Sequence, residues 1–339
     1  MTGTSANATG TQREGIAIRG MREDDLPEAD RIFRMAFGTF LGVPEPETNF
    51  AAGVNMVPTR WAAPHVAAFV AEADDRLAGA SMVSRWGSVG VFGPIVVRPE
   101  FWDRGVGSRL MAPVTEALDQ WGVDVGGLFT FPTSAKHIGL YQKFGFWPRF
   151  LTRVMSRPAG SPSASSALEG VARFSRAGAE GEATREEFLK ACGEITGDVY
   201  AGLEVSGEVL SAADQNLCET LLLWDGDRPE GVAACHCGAG TEAGHDQCYV
   251  KFAAVRPGPR AASHFTRLLE ACEGLAVERG LETVQAGINT GRQEACQAMA
   301  DIGFRSVAMG PMAMHGLTMH RPSKPAYDGP GVFAIEDWR

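Results

Sequence analysis

Hydrophobic and polar positions follow two periods along the first half of the chain. A period of two predicts strands, and a period near 3.6 predicts amphipathic helices. In chain order, the pattern predicts a strand at 16–19, a helix at 23–37, strands at 66–71, 77–85 and 89–97, a helix at 105–121, a strand at 127–131, a helix at 134–144 and a final pair of strands. This order predicts an α+β fold, with a mixed, mostly antiparallel sheet flanked by helices.

The second half repeats the first at a constant offset of 158 residues. The matching positions are Val97-Arg98-Pro99 with Val255-Arg256-Pro257, Arg109-Leu110 with Arg267-Leu268, Gly122 with Gly280, and Gly145-Phe146 with Gly303-Phe304. Strands are predicted at 220–224, 231–237 and 249–255, and helices at 261–278 and 292–302. An offset held over about 50 residues indicates a duplicated unit, and a period of domain size indicates two tandem lobes.

A small, polar segment that contains two prolines separates the two units and reads as a linker. The predicted organisation has five parts. They are a disordered N-terminus at 1–13, a first lobe at 14–157, a linker at 158–170, a second lobe at 171–321 and a C-terminal tail at 322–339.

The distribution of charge predicts that any polyanionic ligand prefers the first half of the chain. The chain has a net charge of −10, with 31 basic and 41 acidic residues. Residues 1–157 are neutral overall, and residues 158–339 carry the whole excess of negative charge. A general nucleic-acid binder would need a basic face, so we expect no nucleic-acid partner. No apolar run approaches the roughly 18 residues of a membrane span, so we expect no membrane partner either.

All seven cysteines lie in the second half. An odd number, with no signal peptide visible at the N-terminus, predicts reduced thiols in a cytoplasmic protein. Cys235-His236-Cys237, with His245 and Cys248, has ligand types that suit zinc. Neighbours on a strand point to opposite faces, however, so a hairpin packed with small thiols is the favoured interpretation, and no metal is expected.

The segment from Val97 to Leu110 has the composition of a phosphate-binding turn between a strand and a helix. Gly105 and Gly107 allow close approach to the backbone, and the free amides of a helix N-terminus favour a phosphate group. Arg104 adds a permanent positive charge. By itself, the Gly-Val-Gly sequence fits an ordinary turn equally well.

Together with the downstream sequence Leu140-Tyr141-Gln-Lys-Phe-Gly-Phe146, this segment resembles the GNAT acetyltransferase superfamily. The resemblance covers residues 16–157, and a degraded form covers 171–317. It implies acetyl-CoA as co-substrate. One departure is Trp102, since the family usually has Gln or Arg three positions before the first glycine.

The resemblance implies roles for individual residues. Ile95, Val96 and Val97 would pair with the pantetheine arm as an added strand, and one of their amides would polarise the thioester carbonyl. Tyr141 would protonate the departing thiolate; the alternative is a core aromatic on a helix face. The pyrophosphate would be held by six consecutive residues: Asp103, Arg104, Gly105, Val106, Gly107 and Ser108.

The general base is not evident from the sequence. At pH 7 only about one lysine-like amine in 2,500 is neutral, so the site must help the amine lose a proton. Glu45 and Glu47 could attract a cationic amine, although a solvated acidic loop is the favoured interpretation. His137 is a further candidate, although a helix-surface histidine without a catalytic role is the favoured interpretation. The carboxylate of Arg339 is another, because the C-terminus enters the active site in some two-lobed relatives.

At the offset of 158, the second lobe lacks the residues that the cofactor needs. Gly105 corresponds to Ser263, Gly107 to Phe265 and Tyr141 to Met299. We therefore predict that the second lobe is structural and closes the substrate pocket or makes a dimer.

The hypothesis is an acetyl-CoA-dependent N-acetyltransferase that acts on a small-molecule or protein amine. Direct transfer in a ternary complex is expected, because the first lobe has no cysteine to carry an acyl group. The alternative is a CoA-binding sensor or interaction module without turnover, and a homodimer stays open for either.

Overall fold

The computed structural model describes residues 15–161, 166–309, 312–313, 315–322, 325–336 and 338. The strands are β1 (Ala17–Gly20), β2 (Val66–Ala73), β3 (Arg76–Trp86), β4 (Val89–Val97), β5 (Val125–Thr130), β6 (Trp147–Pro158), β7 (Val171–Arg173), β8 (Cys218–Asp225), β9 (Arg228–Cys237), β10 (Gln247–Val255), β11 (Thr283–Asn289), β12 (Arg305–Ser306), β13 (Ala308–Met309), β14 (Met312–Ala313), β15 (His315–Pro322) and β16 (Ala334–Ile335). The predicted disordered N-terminus and residues 162–165 of the predicted linker lie outside the described residues.

Ten α-helices lie within the described residues. They are α1 (Leu26–Phe40), α2 (Pro46–Asn49), α3 (Met56–Trp61), α4 (Val106–Trp121), α5 (Ala135–Gln142), α6 (Phe174–Glu180), α7 (Glu182–Val199), α8 (Ser206–Asp214), α9 (Ala261–Glu278) and α10 (Gln293–Asp301). The apolar residues of α1 are spaced so that they share one face. Ala29, Ile32, Phe33 and Ala36 form a buried stripe, and this stripe packs the helix against the core. None of the helices in these ranges is long and apolar enough to cross a membrane.

Both lobes share one continuous sheet. Its strand order is β1-β2-β3-β4-β5-β15-β6-β11-β10-β9-β8-β7, with β12 and β16 attached at β6 and β10. Among the described strand pairs, only β4–β5 and β10–β11 are parallel. The α+β prediction with a mostly antiparallel sheet is confirmed.

The last strands of the two repeats cross between the lobes. β15, from the second half, pairs with β5 and so completes the sheet of the first lobe. β6, from the first half, pairs with β11 of the second lobe and with β15. The predicted final pair of strands within the first repeat is therefore wrong: a single long strand ends that repeat. Because the repeats share one pattern, the last strand of either repeat can complete either sheet.

Helices cover both faces of the first lobe. On one face, Met111, Val114 and Leu118 of α4 pack with Phe92 and Phe146. On the opposite face, α1 and α3 cover the first strands, while the second lobe packs against β4 and β5. This last contact is a core of its own, in which Trp86 meets Phe252 at a ring distance of 5.6 Å. The lobes are therefore joined by buried apolar surface as well as by the sheet.

Two of the seven cysteines form a disulfide, which corrects the expectation of reduced thiols throughout. Cys218 and Cys237 are bonded across β8 and β9, with Cα atoms 5.2 Å apart. The other five cysteines are free and buried. Cys235 lies with its sulfur 3.8 Å from that of Cys272, as a thiol packed in the core. Within the described ranges, no group of three or more ligand side chains could hold a metal ion.

The C-terminal tail returns to the first lobe and covers β5. Trp338 is buried, and a Cβ added at Gly127 would lie 2.2 Å from its indole ring. We expect Gly127→Ala to lower the free energy of unfolding by about 1–3 kcal/mol, because the indole must move from a packed position. Chemical denaturation measures this. The matched control is Gly20→Ala, in β1, where an added Cβ meets nothing within 4 Å. Equal destabilisation by the two variants would mean that the tail does not lie on β5.

Candidate active site

The site begins where β4 and β5 separate. The two strands are paired only at their first three positions, from Val89 with Val125 to Val91 with Gly127. Beyond Val91, β4 stays paired with β3, and β5 stays paired with β15. The two strands therefore diverge, and within the described part of the chain the last residues of β4 have no strand on this side.

A β-bulge turns the end of β4 towards this gap. Val83 pairs with Phe92 and Ser81 pairs with Ile95, so Gly93 and Pro94 both stand opposite one residue of β3. After the bulge, the amide of Arg98 donates to Ala78 of β3 at 2.9 Å. Backbone polar groups alternate in direction along a strand, so those of Ile95 and Val97 point into the gap and those of Val96 point towards β3.

A cavity of about 730 Å³ occupies the gap. Its walls come from α1, the end of β4, the turn before α4, the end of β5 and α5. The lining residues are Ala36, Phe37, Phe40, Ile95, Val96, Val97, Phe101, Trp102, Asp103, Gly105, Val106, Gly107, Ser108, Phe131, Ala135, Lys136, His137, Gly139, Leu140, Tyr141 and Lys143. Nine of the ten predicted site residues therefore line the cavity, and Arg104 is the exception.

The turn before α4 presents backbone amides to the cavity. Asp103 and Gly105 have φ angles of +63° and +88°, in the left-handed region, and α4 begins directly afterwards at Val106. No described side chain caps this helix. The first amides of a helix have no acceptor within it, so those of Val106, Gly107 and Ser108 are available to an anion at the positive end of the helix dipole.

Charged side chains at the mouth of the cavity are arranged differently from the prediction. Arg104 points away from the cavity: it donates to Asp74 at 2.9 Å and lies over the ring of Phe101. Lys136, from the first turn of α5, is the cation on the wall next to the turn, and its Nζ is 2.7 Å from Asp103 Oδ1. Both partners of this ion pair are exposed, and the pair bridges the two sides of the mouth.

Trp102 takes part in the strand edge. Its indole N–H donates to the carbonyl oxygen of Val97 at 2.7 Å, and Lys136 Nζ lies 5.8 Å from its ring centroid. A carbonyl oxygen has two lone pairs, and the N–H of Val97 is not used by this bond. The aromatic residue at this position therefore braces the end of β4 and still leaves backbone groups for a ligand.

Tyr141 is both a core residue and a cavity residue. It is 6% exposed, packs edge-on against Phe92 at 5.6 Å, and lines the cavity. Burial raises the pKa of its hydroxyl well above the ordinary range, and a hydrogen bond with Thr130 offsets part of this rise. The ring is therefore a core residue that also faces the cavity, and the hydroxyl stays protonated at neutral pH.

The candidate bases differ in their position. Glu47 lies on α2, where Arg31 pairs with it at 2.7 Å and lowers the pKa of its carboxyl. Neither Glu45 nor Glu47 lines the cavity. His137 does, with its ring 5.0 Å from that of Phe40. Burial, and then the charge of Lys136, lowers the pKa of His137, so its imidazole is neutral at pH 7. Arg339 lies outside the described residues.

Residues 30–146 match the model of the acetyltransferase (GNAT) family. This match identifies the first lobe as a GNAT acetyltransferase domain. An acetyltransferase-like protein from Pyrococcus horikoshii superimposes with a TM-score of 0.64 at 18% identity, over 96% of this chain and 95% of that one. A GCN5-related N-acetyltransferase from Sphaerobacter thermophilus gives 0.56 at 17% identity, over 93% and 97%.

A tandem GNAT protein from the clavulanic acid biosynthesis pathway also superimposes over the whole chain, with a TM-score of 0.51 at 13% identity and coverage of 92% and 99%. At these identities the solved structures establish the fold alone. They confirm the two-lobed form that the repeat predicts. A comparison of the sequence with curated proteins finds no match.

The second lobe has the same slot, and the chain itself fills it. β10 diverges from β11 after Val250, as β4 does from β5. In that gap β16 of the tail pairs with Ala253 and Ala254, which correspond to Ile95 and Val96 at the offset of 158. Phe265, at the position of Gly107, is fully buried and packs on Phe333 of the same tail. A strand thus occupies in lobe two the place that no described strand fills in lobe one.

Sequence reasoning missed several residues of the site. Phe37, Phe40 and Phe131 form an aromatic wall, with Phe40 and Phe131 4.7 Å apart, and Lys136 replaces Arg104 as the cation beside the turn. The sequence predicted that Lys136 lies on a helix, at 134–144, but not that it lies beside the turn. The aromatic residues have the spacing of ordinary core positions, so nothing local distinguishes a cavity wall from a packed interior.

Proposed function

We propose that this protein is an N-acetyltransferase that moves an acetyl group from acetyl-CoA directly to an amine, with the first lobe catalytic and the second structural. The observation that carries the proposal is one cavity bounded by a strand edge and a helix N-terminus, where no described strand pairs with the edge and no described side chain caps the helix. An elongated ligand with amide groups at one end and phosphates at the other matches that pair of surfaces.

In this proposal each site residue has a role. Ile95 and Val97 would exchange hydrogen bonds with the pantetheine arm, beside the side chain of Val96, and one of the strand amides would polarise the thioester carbonyl. The amide-bearing turn from Asp103 to Ser108 would hold the pyrophosphate. The amine nitrogen would bond to the carbonyl carbon as the carbon–sulfur bond breaks, and Tyr141 would give its proton to the departing sulfur.

We assign the base to His137. Among the described lining residues it is the group that is neutral at pH 7 and able to accept a proton. Activity should then fall as the pH drops below the pKa of His137, which lies below its ordinary value of 6.5. His137→Gln should lower kcat by roughly 10²-fold and remove this acidic limb. The pH profile of kcat with an accepted amine measures both, and an unchanged acidic limb in the variant would assign the base elsewhere.

The ion pair at the mouth should tune the affinity for acetyl-CoA. A pyrophosphate competes with Asp103 for Lys136, so we expect Asp103→Asn to tighten binding about threefold, on the scale of an exposed ion pair. Lys136→Gln should weaken it by about the same factor, and both effects should shrink at high salt because the groups are exposed. Calorimetric titrations at two salt concentrations test this. Tighter binding by both variants would exclude Lys136 as a phosphate ligand.

Calorimetric titration of the intact chain with acetyl-CoA tests the proposal as a whole. One site per chain is expected, because the slot of the second lobe is filled by β16 and Phe265. Binding without acetyl transfer to any member of a broad amine panel would favour the sensor alternative. No binding would remove the acetyltransferase proposal.

A further inference from the structure

A buried cluster of charges lies between the lobes. Arg60, on α3 of the first lobe, forms a two-pronged ion pair with Glu242, in the loop between β9 and β10 of the second lobe. The N···O distances are 3.1 and 2.6 Å, and the side chains are 5% and 1% exposed. Burying two charges is costly unless each is paired and hydrogen-bonded, and here both prongs of the pair are formed.

The third nitrogen of the Arg60 guanidinium donates a hydrogen bond to β4, the strand that forms one wall of the cavity. This nitrogen, Nη1, donates to the carbonyl oxygen of Gly93 at 2.6 Å. Gly93 is in the bulge of β4, two residues before Ile95, whose backbone groups face the cavity. The guanidinium thus links the second lobe to the β-bulge of β4.

The other members of the cluster hold Glu242 in place. Lys251 Nζ lies 2.7 Å from Glu242 Oε1 and 2.7 Å from Glu208 Oε1. Glu208 also contacts His65 at 2.9 Å. Burial alone would raise the pKa of Glu242, but the charges of Arg60 and Lys251 reverse this and keep it ionised. Lys251 corresponds to Gly93 at the offset of 158 and lies where the pairing of β10 with β9 shifts, so the bulges of both lobes meet at this cluster.

We propose that Arg60, held by Glu242, is a positioning residue that sets the β4 bulge for acetyl-CoA, and this rests on the proposed function. The second lobe then has a role beyond covering the first: it supplies the carboxylate that orients the arginine. A bulge left without this bond would let the end of β4 move, and the amides of Ile95 and Val97 would no longer be preorganised for the ligand.

Arg60→Lys separates this role from simple charge pairing. A lysine keeps the positive charge for Glu242, but a single ammonium cannot reproduce the planar fork and the third bond to Gly93. The matched control is Arg173→Lys. Arg173 forms a two-pronged pair with Glu278, at 2.7 and 2.6 Å, on β7 at the far edge of the sheet.

Two measurements are made on the intact chain: amide hydrogen exchange of residues 91–98 without ligand, and calorimetric titration with acetyl-CoA. For Arg60→Lys we expect exchange at least about tenfold faster and affinity about tenfold lower, the latter equal to about 1.4 kcal/mol. Arg173→Lys should leave both unchanged. If Arg60→Lys does not fold, the double variant Arg60→Gln/Glu242→Gln removes both charges together and serves in its place.

The inference would be overturned if folded Arg60→Lys, or the double variant used in its place, showed the exchange rates and the affinity of the wild type. An equal loss of affinity in Arg173→Lys would also overturn it. If the wild-type protein itself does not bind acetyl-CoA, the proposed function fails. The exchange measurement still decides whether Arg60 positions the strand.

Discussion

Replacing Gly107 with phenylalanine should abolish acetyl-CoA binding, with an affinity loss of more than about 100-fold, or about 2.8 kcal/mol. A Cβ at Gly107 would point between Leu140, at 3.4 Å, and Val97, at 3.9 Å. Both of these residues line the cavity, so the ring of a phenylalanine would occupy the volume in front of the first amides of α4. The second lobe already carries this change as Phe265, which is fully buried.

The control for this variant is Gly107→Ala. The added Cβ makes ordinary van der Waals contacts at 3.4 and 3.9 Å, so alanine should fold like the wild type and retain measurable binding. Calorimetric titration and thermal unfolding of both variants are sufficient. If Gly107→Phe is folded and binds acetyl-CoA as the wild type does, the phosphate site lies elsewhere.

Tyr141→Phe should lower kcat by roughly 10²–10⁴-fold and leave the affinity for acetyl-CoA nearly unchanged. The hydroxyl is the only group removed, and the ring keeps its buried contact with Phe92. Because burial raises the pKa of Tyr141, the hydroxyl is protonated across the usual assay range, and no loss of activity at neutral pH should be assigned to its ionisation. Release of free thiol from acetyl-CoA, in the presence of an accepted amine, measures the rate.

The matched control is Tyr327→Phe, a second buried tyrosine that packs in the contact between the lobes and does not line the cavity. Its hydroxyl is also buried, so both variants test the loss of a buried phenol oxygen. Equal rates for Tyr141→Phe and the wild type would show that the thiolate is protonated by another group. Equal losses in Tyr141→Phe and Tyr327→Phe would indicate a general effect on stability.

Local patterns were sufficient to predict the helix that follows the glycine-containing turn of the first lobe, and its counterpart in the second lobe. The predicted helix at 105–121 is α4, which begins one residue later at Val106, and the predicted helix at 261–278 is α9, with identical bounds. Helix α4 is predictable because it buries one stripe along its length and ends next to a glycine. Helix α9 is buried over more of its surface, and Arg279 separates its last residue from Gly280. Gly122, the C-cap residue of α4, has a φ of +63°, in the left-handed region that favours glycine.

Pairing at a distance was not predictable from the same patterns. The periodicity of β6 and β15 predicts strands, but either sheet offers a complementary edge, so the exchange of final strands between lobes is decided in three dimensions. The same holds for the disulfide, since a count of cysteines does not say which two sulfurs meet when β8 pairs with β9.

The sequence by itself determined the duplicated unit, the GNAT resemblance, the glycines of the turn before α4 and the loss of those glycines in the second lobe. Each depends on residues close in sequence or on one constant offset. Only the tertiary structure decided that Lys136 faces the turn in place of Arg104 and that β16 fills the second slot. It also decided that Arg60 joins Glu242 across 182 residues to hold the bulge of β4. Such contacts depend on which surfaces meet after the lobes have packed, and no local periodicity records that.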